Sequence, residues 1–124
     1  MFNNGEMRRD FTFIDDIVRG VIACVDQAPL DDGAAKAGGS RGPHALYNIG
    51  NSRSEELMRM IGLLEEATGR KAELDFAPMQ PGDVKDTFAD ISAIERDHGF
   101  VPTTTIDEGI PRFVQWFKEY HGMD

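Results

Sequence analysis

In Met7-Arg8-Arg9-Asp10-Phe11-Thr12-Phe13-Ile14 a period of two puts the apolar Phe11 and Phe13 on one side and Thr12 and Ile14 on the other. That period of two predicts a short strand or extended segment. The period then changes. Ile17, Val18, Val21, Ile22 and Val25 recur at i, i+1, i+4, i+5 and i+8, which predicts a helix over roughly 16–27 opened by Asp15 or Asp16 and ended by Pro29. Residues 31–44 are small and unpatterned, so a flexible surface loop is expected there. Ala45-Leu46-Tyr47-Asn48-Ile49 reads as a short strand stopped at Gly50-Asn51.

Three capping boxes punctuate the rest of the chain. Ser52 with Glu55 predicts a helix to about Thr68, with Leu57, Met58, Ile61, Leu64 and Ala67 as its apolar positions and Gly69 as its stop. Ser92 with Glu95 predicts a short helix closed by Gly99. Thr105 with Glu108 opens the last helix, which carries Ile106, Ile110, Phe113, Val114, Phe117 and Tyr120. Its aromatic stripe, with Trp116, is expected to face the core. Pro111 falls beyond the first turn of that helix, so a kink is expected, or a regular part beginning near Ile110. Between these helices, Ala72–Phe76 and Thr87-Phe88-Ala89 are strand candidates. The order of elements is an α/β arrangement without internal repeats.

Composition narrows the class. A chain of 124 residues, 40% apolar and 28% charged, is an ordinary globular chain. Such a chain buries roughly 65% of its unfolded surface, enough for one modest core and one domain over 1–124. The formal charge of −9 opposes non-specific binding to nucleic acid or to an anionic membrane. No apolar run reaches the ~20 residues that span a bilayer, and the polar start is unlike a signal peptide, so a cytoplasmic location is expected. Cys24 has no disulfide partner, and its apolar helical setting predicts an inert buried thiol. His44, His98 and His121 are too scattered to suggest a metal site. His98 would sit at a helix end.

Two short segments carry candidate chemistry. In a strand Arg8 and Arg9 point to opposite faces, so only one can serve a given pocket. A guanidinium suits a diphosphate because its planar fork donates two parallel hydrogen bonds. The ordinary alternative is an arginine paired with Asp10, Asp15 or Asp16. Gln80-Pro81-Gly82-Asp83 reads as a tight turn of type II, with glycine at the position of positive φ. Such a turn presents the Asp83 carboxylate rigidly, and a carboxylate accepts hydrogen bonds from paired sugar hydroxyls. The ordinary alternative is a plain surface turn.

Taken together and in order, these segments resemble the extended short-chain dehydrogenase/reductase nucleotide-sugar epimerases. The resemblance rests on Met7–Asp16, on Tyr47-Asn48-Ile49-Gly50-Asn51, and on Met79-Gln80-Pro81-Gly82-Asp83-Val84. It continues through Phe88-Ala89-Asp90, Ile91–Arg96, Ile106-Asp107-Glu108-Gly109 and Phe113–Phe117. The glutamine in Met-Gln-Pro-Gly-Asp is most similar to UDP-glucuronate 4-epimerases. The resemblance implies the C-terminal, substrate-binding portion of a Rossmann-type α/β enzyme. It implies that Arg9 holds the diphosphate of a UDP-sugar, UDP-glucuronate or UDP-galacturonate, and that Gln80 and Asp83 face the nucleotide. Phe2 matches the residue whose backbone meets the uracil, although at the end of the chain it is expected to be loosely held. Asp15 and Asp16 are expected to be structural.

The family oxidises its sugar with NAD, using a glycine-rich dinucleotide loop and a Tyr-x-x-x-Lys pair. Neither occurs in this sequence: Asn51 follows Tyr47 by four residues, Asp124 follows Tyr120, and Gly38-Gly39 has no apolar strand before it. The expectation is therefore a chain with no catalytic or cofactor-binding residues of its own, in which NAD belongs only to the full-length family. Its partners would be the UDP-sugar, a separate Rossmann half and further copies of itself. A non-enzymatic partner module, and an inactive product of a truncated gene, stand as alternatives.

Overall fold

The computed structural model describes residues 1–123. A one-turn 3-10 segment, Phe2–Gly5, leads into strand β1, Arg8–Asp10. Helix α1 runs from Ile14 to Asp26 and starts two residues earlier than the apolar period suggests. Phe13, extended at φ −74 and ψ 143, occupies the cap position without a side-chain cap. Asp15 and Asp16 therefore do not cap α1. They lie in its first turn, where a carboxylate suits the positive end of the helix dipole.

The apolar stripe of α1 faces outward. Ile14, Val18, Val21, Ile22 and Val25 are all exposed, Val25 at 75%, while the helix buries Asp16 and Gly20. Gly20 is where α1 touches the core: a β-carbon there would stand 3.1 Å from Ile49 and 3.2 Å from the Phe100 ring.

After the 31–44 connection the segment 45–49 is extended, but it pairs with no strand among the described residues. The strand expected over Ala45–Ile49 is thus absent: the Leu46 N–H donates to the Ala37 carbonyl at 3.0 Å, but that contact does not extend into a ladder. Strand β2, Ser54–Glu56, pairs antiparallel with β1 in the register Arg8↔Glu56, Arg9↔Glu55 and Asp10↔Ser54. On the other edge of β1, Arg8 makes a parallel bridge to Asp86, through Arg8 N–H to the Lys85 carbonyl at 2.9 Å and Thr87 N–H to the Arg8 carbonyl at 3.3 Å. The strand expected at Thr87–Ala89 is reduced to this bridge. Ala72–Phe76 forms no strand either: Asp75 and Ala77 bond instead to the backbone of Met1 and Asn4.

Helix α2 spans Leu57–Thr68 and ends at Gly69; helix α3 spans Ser92–His98 and ends at Gly99. None of the three capping boxes forms. Ser52 adopts φ 52 ahead of β2, and the Glu55 carboxylate is taken by Arg59 at 2.5 Å. At α3 the Asp90 carboxylate accepts the Ser92 N–H at 2.9 Å. Helix α4, Ile106–His121, begins directly after Thr105 and runs through Pro111 without interruption, so its regular part does not wait for Ile110.

The core is small: Ile91, Ile94 and Phe100, with Cys24, Tyr47, Ile49 and Ala89 packed against it. Met7, Ile106 and Val114 are also buried. Helices α2 and α4 lie against each other, and Arg59 of α2, which also bonds Glu55 of β2, ties them by bonding Asp107 of α4 at 2.6 Å. The aromatic stripe of α4 corrects the core-facing expectation. Phe113, Trp116, Phe117 and Tyr120 are exposed and pack on one another along the helix, while Ile106, Gly109 and Val114 turn inward.

Candidate functional site

Strand alternation sends the two arginines apart, as the pattern requires. Arg8 bonds the Ser54 carbonyl at 2.5 Å and lies between the Glu56 and Asp86 carboxylates. Arg9 points the other way and meets Asp83, 74 residues later in the chain, with Nη2 3.0 Å from Oδ1. Its Nη1 donates to the Arg8 carbonyl at 2.8 Å and to the Lys85 carbonyl at 3.2 Å. The side chains of Arg9 and Asp83 are 24% and 32% exposed, so the pair sits at the surface with its polar atoms in reach of a ligand. The expected alternatives for Arg9, pairing with Asp10, Asp15 or Asp16, are not what is found.

Asp83 is held by the turn. The Asp83 N–H closes on the Gln80 carbonyl at 3.1 Å, and Gly82 takes φ 85, as a type II turn demands at that position. The Val84 N–H also donates to Asp83 Oδ1, at 2.8 Å. Gln80 is exposed on the same turn. Phe2 is half-exposed at 45%. It is not loosely held: the Met1 ammonium donates to the Asp75 carbonyl, the Ala77 N–H to the Met1 carbonyl at 2.8 Å, and the Asn4 N–H to the Ala77 carbonyl at 3.0 Å. This fastens Phe2 to the strip of chain that runs into the Gln80 turn.

Two carboxylates organise the surroundings: Asp16, expected to be structural, and Asp10, expected only as a possible arginine partner. Asp10 accepts three backbone N–H groups from Asn51, Ser52 and Ala89. Asp16 is fully buried and accepts from Thr104 N–H at 2.9 Å, Thr103 N–H and hydroxyl at 3.2 Å, and Arg19 at 2.6 Å. Burial alone would raise the pKa of Asp16, but the bonds from Thr104 and Thr103 and the charge of Arg19 outweigh it and hold the carboxyl below its ordinary value. The sequence signals only a carboxylate next to a strand or helix start; donors 41 to 88 residues away leave no local trace. Asp15, by contrast, is a surface ion-pair partner of Arg112 on α4 at 2.6 Å.

A second polar cluster gathers around Tyr47, which packs against the core. The Tyr47 hydroxyl donates to Asp97 at 3.0 Å, and Arg96 pairs with the same carboxylate. Burial, and then the bond to Asp97, push the Tyr47 phenol up. His98 packs edge-on against Tyr47, with 4.9 Å between ring centroids. Cys24 is free and half-buried. Among the described residues no three His, Cys, Asp or Glu side chains gather into a metal-binding group, and no helix is long and apolar enough to cross a membrane.

A dinucleotide would need a strand, a glycine turn and a helix N-terminus in succession. The described residues do not supply them. Helix α2 follows β2 with no glycine between, α1 and α4 open with the acidic residues Asp15, Asp16, Asp107 and Glu108, and Gly38-Gly39 lies in a connection with no helix after it.

Residues 1–113 match the family model described as GDP-mannose 4,6 dehydratase. The chain belongs to that family. This family member is 36% identical to Protein CapI of Staphylococcus aureus, over 98% of its own length and 38% of that relative. It is 35% identical to UDP-glucuronate 4-epimerase 6 of Arabidopsis thaliana, over 98% of its length and 26% of that relative. Among solved structures it superposes on the UDP-glucuronic acid 4-epimerase of Bacillus cereus in complex with UDP-glucuronic acid and NAD, with a TM-score of 0.77 and 28% identity. That match covers 97% of this chain and 35% of that one. The UDP-glucose 4-epimerase of Thermotoga maritima with UDP-glucose gives a TM-score of 0.76 at 26% identity, again over 35% of its chain. The chain therefore spans a quarter to two-fifths of these relatives. Its α/β fold is that of the corresponding part of an extended short-chain dehydrogenase/reductase epimerase.

Proposed function

We propose that this chain supplies the UDP-sugar grip of a nucleotide-sugar epimerase of the UDP-glucuronate 4-epimerase kind and carries out no epimerisation alone. The convergence of Arg9 and Asp83 on one surface, across 74 residues of chain, is the observation that carries this reading. Arg9 would bind the diphosphate of UDP-glucuronate or UDP-galacturonate through its fork. Gln80 and Asp83 would face the nucleotide, and the backbone at Phe2 would meet the uracil. Arg9 must let go of Asp83 to grip a phosphate. That release costs little, because a pair this exposed is worth roughly 0–1 kcal/mol. Asp83, once released, is free to accept ribose hydroxyls.

NAD and the redox chemistry would reside in a separate dinucleotide-binding part. The outward stripe of α1 and the unpaired extended segment 45–49 favour such a partner, since both are apolar surfaces or strand edges left uncovered. Without it, the same surfaces would drive self-association.

The test is calorimetric titration of the chain with UDP and with UDP-glucuronate, alongside Arg9→Ala. Saturable binding that weakens at least tenfold in the variant is expected, a change equivalent to about 1.4 kcal/mol. Equal binding by wild type and variant would remove Arg9 from the grip. NAD-dependent interconversion of UDP-glucuronate and UDP-galacturonate by the chain alone would overturn the division of labour.

A further inference from the structure

Every polar contact of Asp10 joins segments that flank the Arg9 grip. Its Oδ1 accepts the Asn51 N–H at 2.8 Å, and its Oδ2 accepts the Ser52 and Ala89 N–H groups, each at 3.0 Å. Its own N–H donates to the Thr87 hydroxyl at 3.0 Å. Among the described residues no cation pairs with it. A carboxylate fed by three backbone donors in a half-buried site has its orientation settled by them.

The geometry around this carboxylate leaves no slack. A β-carbon on Gly50 would stand 2.4 Å from the Ala89 β-carbon and 3.0 Å from Asp10 Oδ2, so the chain at Gly50 passes hard against both. The consequence reaches Arg9 through the backbone. Asp83 stands opposite Arg9 only while residues 85–87 keep their register along β1, and just two backbone bonds hold that register. One of the two, Thr87 N–H to the Arg8 carbonyl, is long at 3.3 Å. The Asp10 bonds to Thr87 and Ala89 continue the same seam by two further contacts.

We propose that Asp10 is the positioning residue of the nucleotide grip: a clamp that locks the 50–52 turn and the 87–89 segment onto β1, and so sets the placing of Asp83 against Arg9. This rests on the nucleotide reading of Arg9 and Asp83 given above. Asp10 touches no ligand itself and acts through the two segments it holds. Asn at this position would set an amide NH2 against at least one backbone donor, whereas Thr87→Val removes a single acceptor at constant shape.

Amide hydrogen exchange and UDP titration on the full chain decide the matter for wild type, Asp10→Asn and Thr87→Val, with the exposed Glu66→Gln as control. In Asp10→Asn, exchange at Asn51, Ser52 and Ala89 should quicken at least tenfold while α2 and α4 stay protected. The Arg9 side-chain Nε–H and the Asp83 amide should shift in the ligand-free protein. UDP affinity should fall about tenfold. Thr87→Val should show the same pattern, weaker, and decides the case if Asp10→Asn does not fold. Unchanged Arg9 and Asp83 resonances, or faster exchange with undiminished UDP affinity, would overturn the clamp. If wild type binds no UDP, the nucleotide reading fails, and the ligand-free Arg9 and Asp83 resonances still judge the clamp.

Discussion

Asp16→Asn offers the sharpest test of how α1 is held to the rest of the chain. The wild-type carboxylate is wholly inaccessible and accepts from Arg19 and the Thr103 hydroxyl on one oxygen, and from the Thr103 and Thr104 N–H groups on the other. An asparagine can keep its carbonyl toward the two backbone donors and turn its NH2 toward the threonine hydroxyl. It then loses the Arg19 bond and the charge that strengthened the other two. Hydrogen bonds to a buried charge are worth roughly 1.5–3 kcal/mol each, and the partial compensation leaves a loss of about 3 kcal/mol. For 124 residues the unfolding entropy is about 0.26 kcal/mol/K, so Tm should drop by about 12 °C at neutral pH. Thermal melts followed by circular dichroism read this directly.

The sign with pH is also determined. The carboxyl of Asp16 titrates below its ordinary value in the folded chain, so its stabilisation is complete above the unfolded value near pH ~4 and disappears as the pH falls through the folded one. The gap between wild type and variant should therefore close in acid. A drop smaller than about 4 °C at neutral pH, or a gap that widens in acid, would refute the reasoning.

Two glycine replacements should act in opposite directions. Gly50→Ala must force Ala89 or Asp10 aside and should cost about 1–3 kcal/mol in denaturant unfolding, whereas Gly62→Ala, in α2 with open space around its β-carbon, should gain about 0.5–1 kcal/mol. On the outward face of α1, Val18→Lys with Ile22→Glu should reduce self-association in sedimentation velocity without lowering Tm, since both side chains are about half exposed. An unchanged sedimentation profile in a self-associating wild type would move the contact elsewhere.

Apolar spacing showed in α1, α2 and α4, which are long enough for it, whereas α3, seven residues long, was legible only from Ser92 with Glu95 and from Gly99; Gly69 and Gly99 mark stops that depend on one residue. Spacing could not say which way a stripe faces. Val18, Val21 and Ile22 have core-like spacing yet lie in solvent, and the Phe113–Tyr120 aromatics do likewise. The capping boxes failed through competition: Arg59 takes Glu55, and Asp90 serves Ser92. Strand candidates at 45–49 and 72–76 have strand-like composition but make only isolated backbone bonds, to Ala37 and to Met1, and a strand is a property of a pair. At the site, the Gln80 turn was legible from Pro-Gly alone. The meeting of Arg9 with Asp83, and the hub at Asp10, depend on contacts 41 to 79 residues apart that no local pattern records.

Several of the first ten residues bond to partners far along the chain: Asp75 and Ala77 for Met1, Leu57 for Met7, Lys85 and Thr87 for Arg8, Asn51, Ser52 and Ala89 for Asp10. A ribosome adding ~5–20 residues per second needs about 4–16 s to pass from Asp10 to Ala89. Until Ala89 has been made, residues 8–10 lack part of their bonding, and they wait as a bare, pairable edge. Whatever shields nascent chains from one another has its work concentrated in that interval.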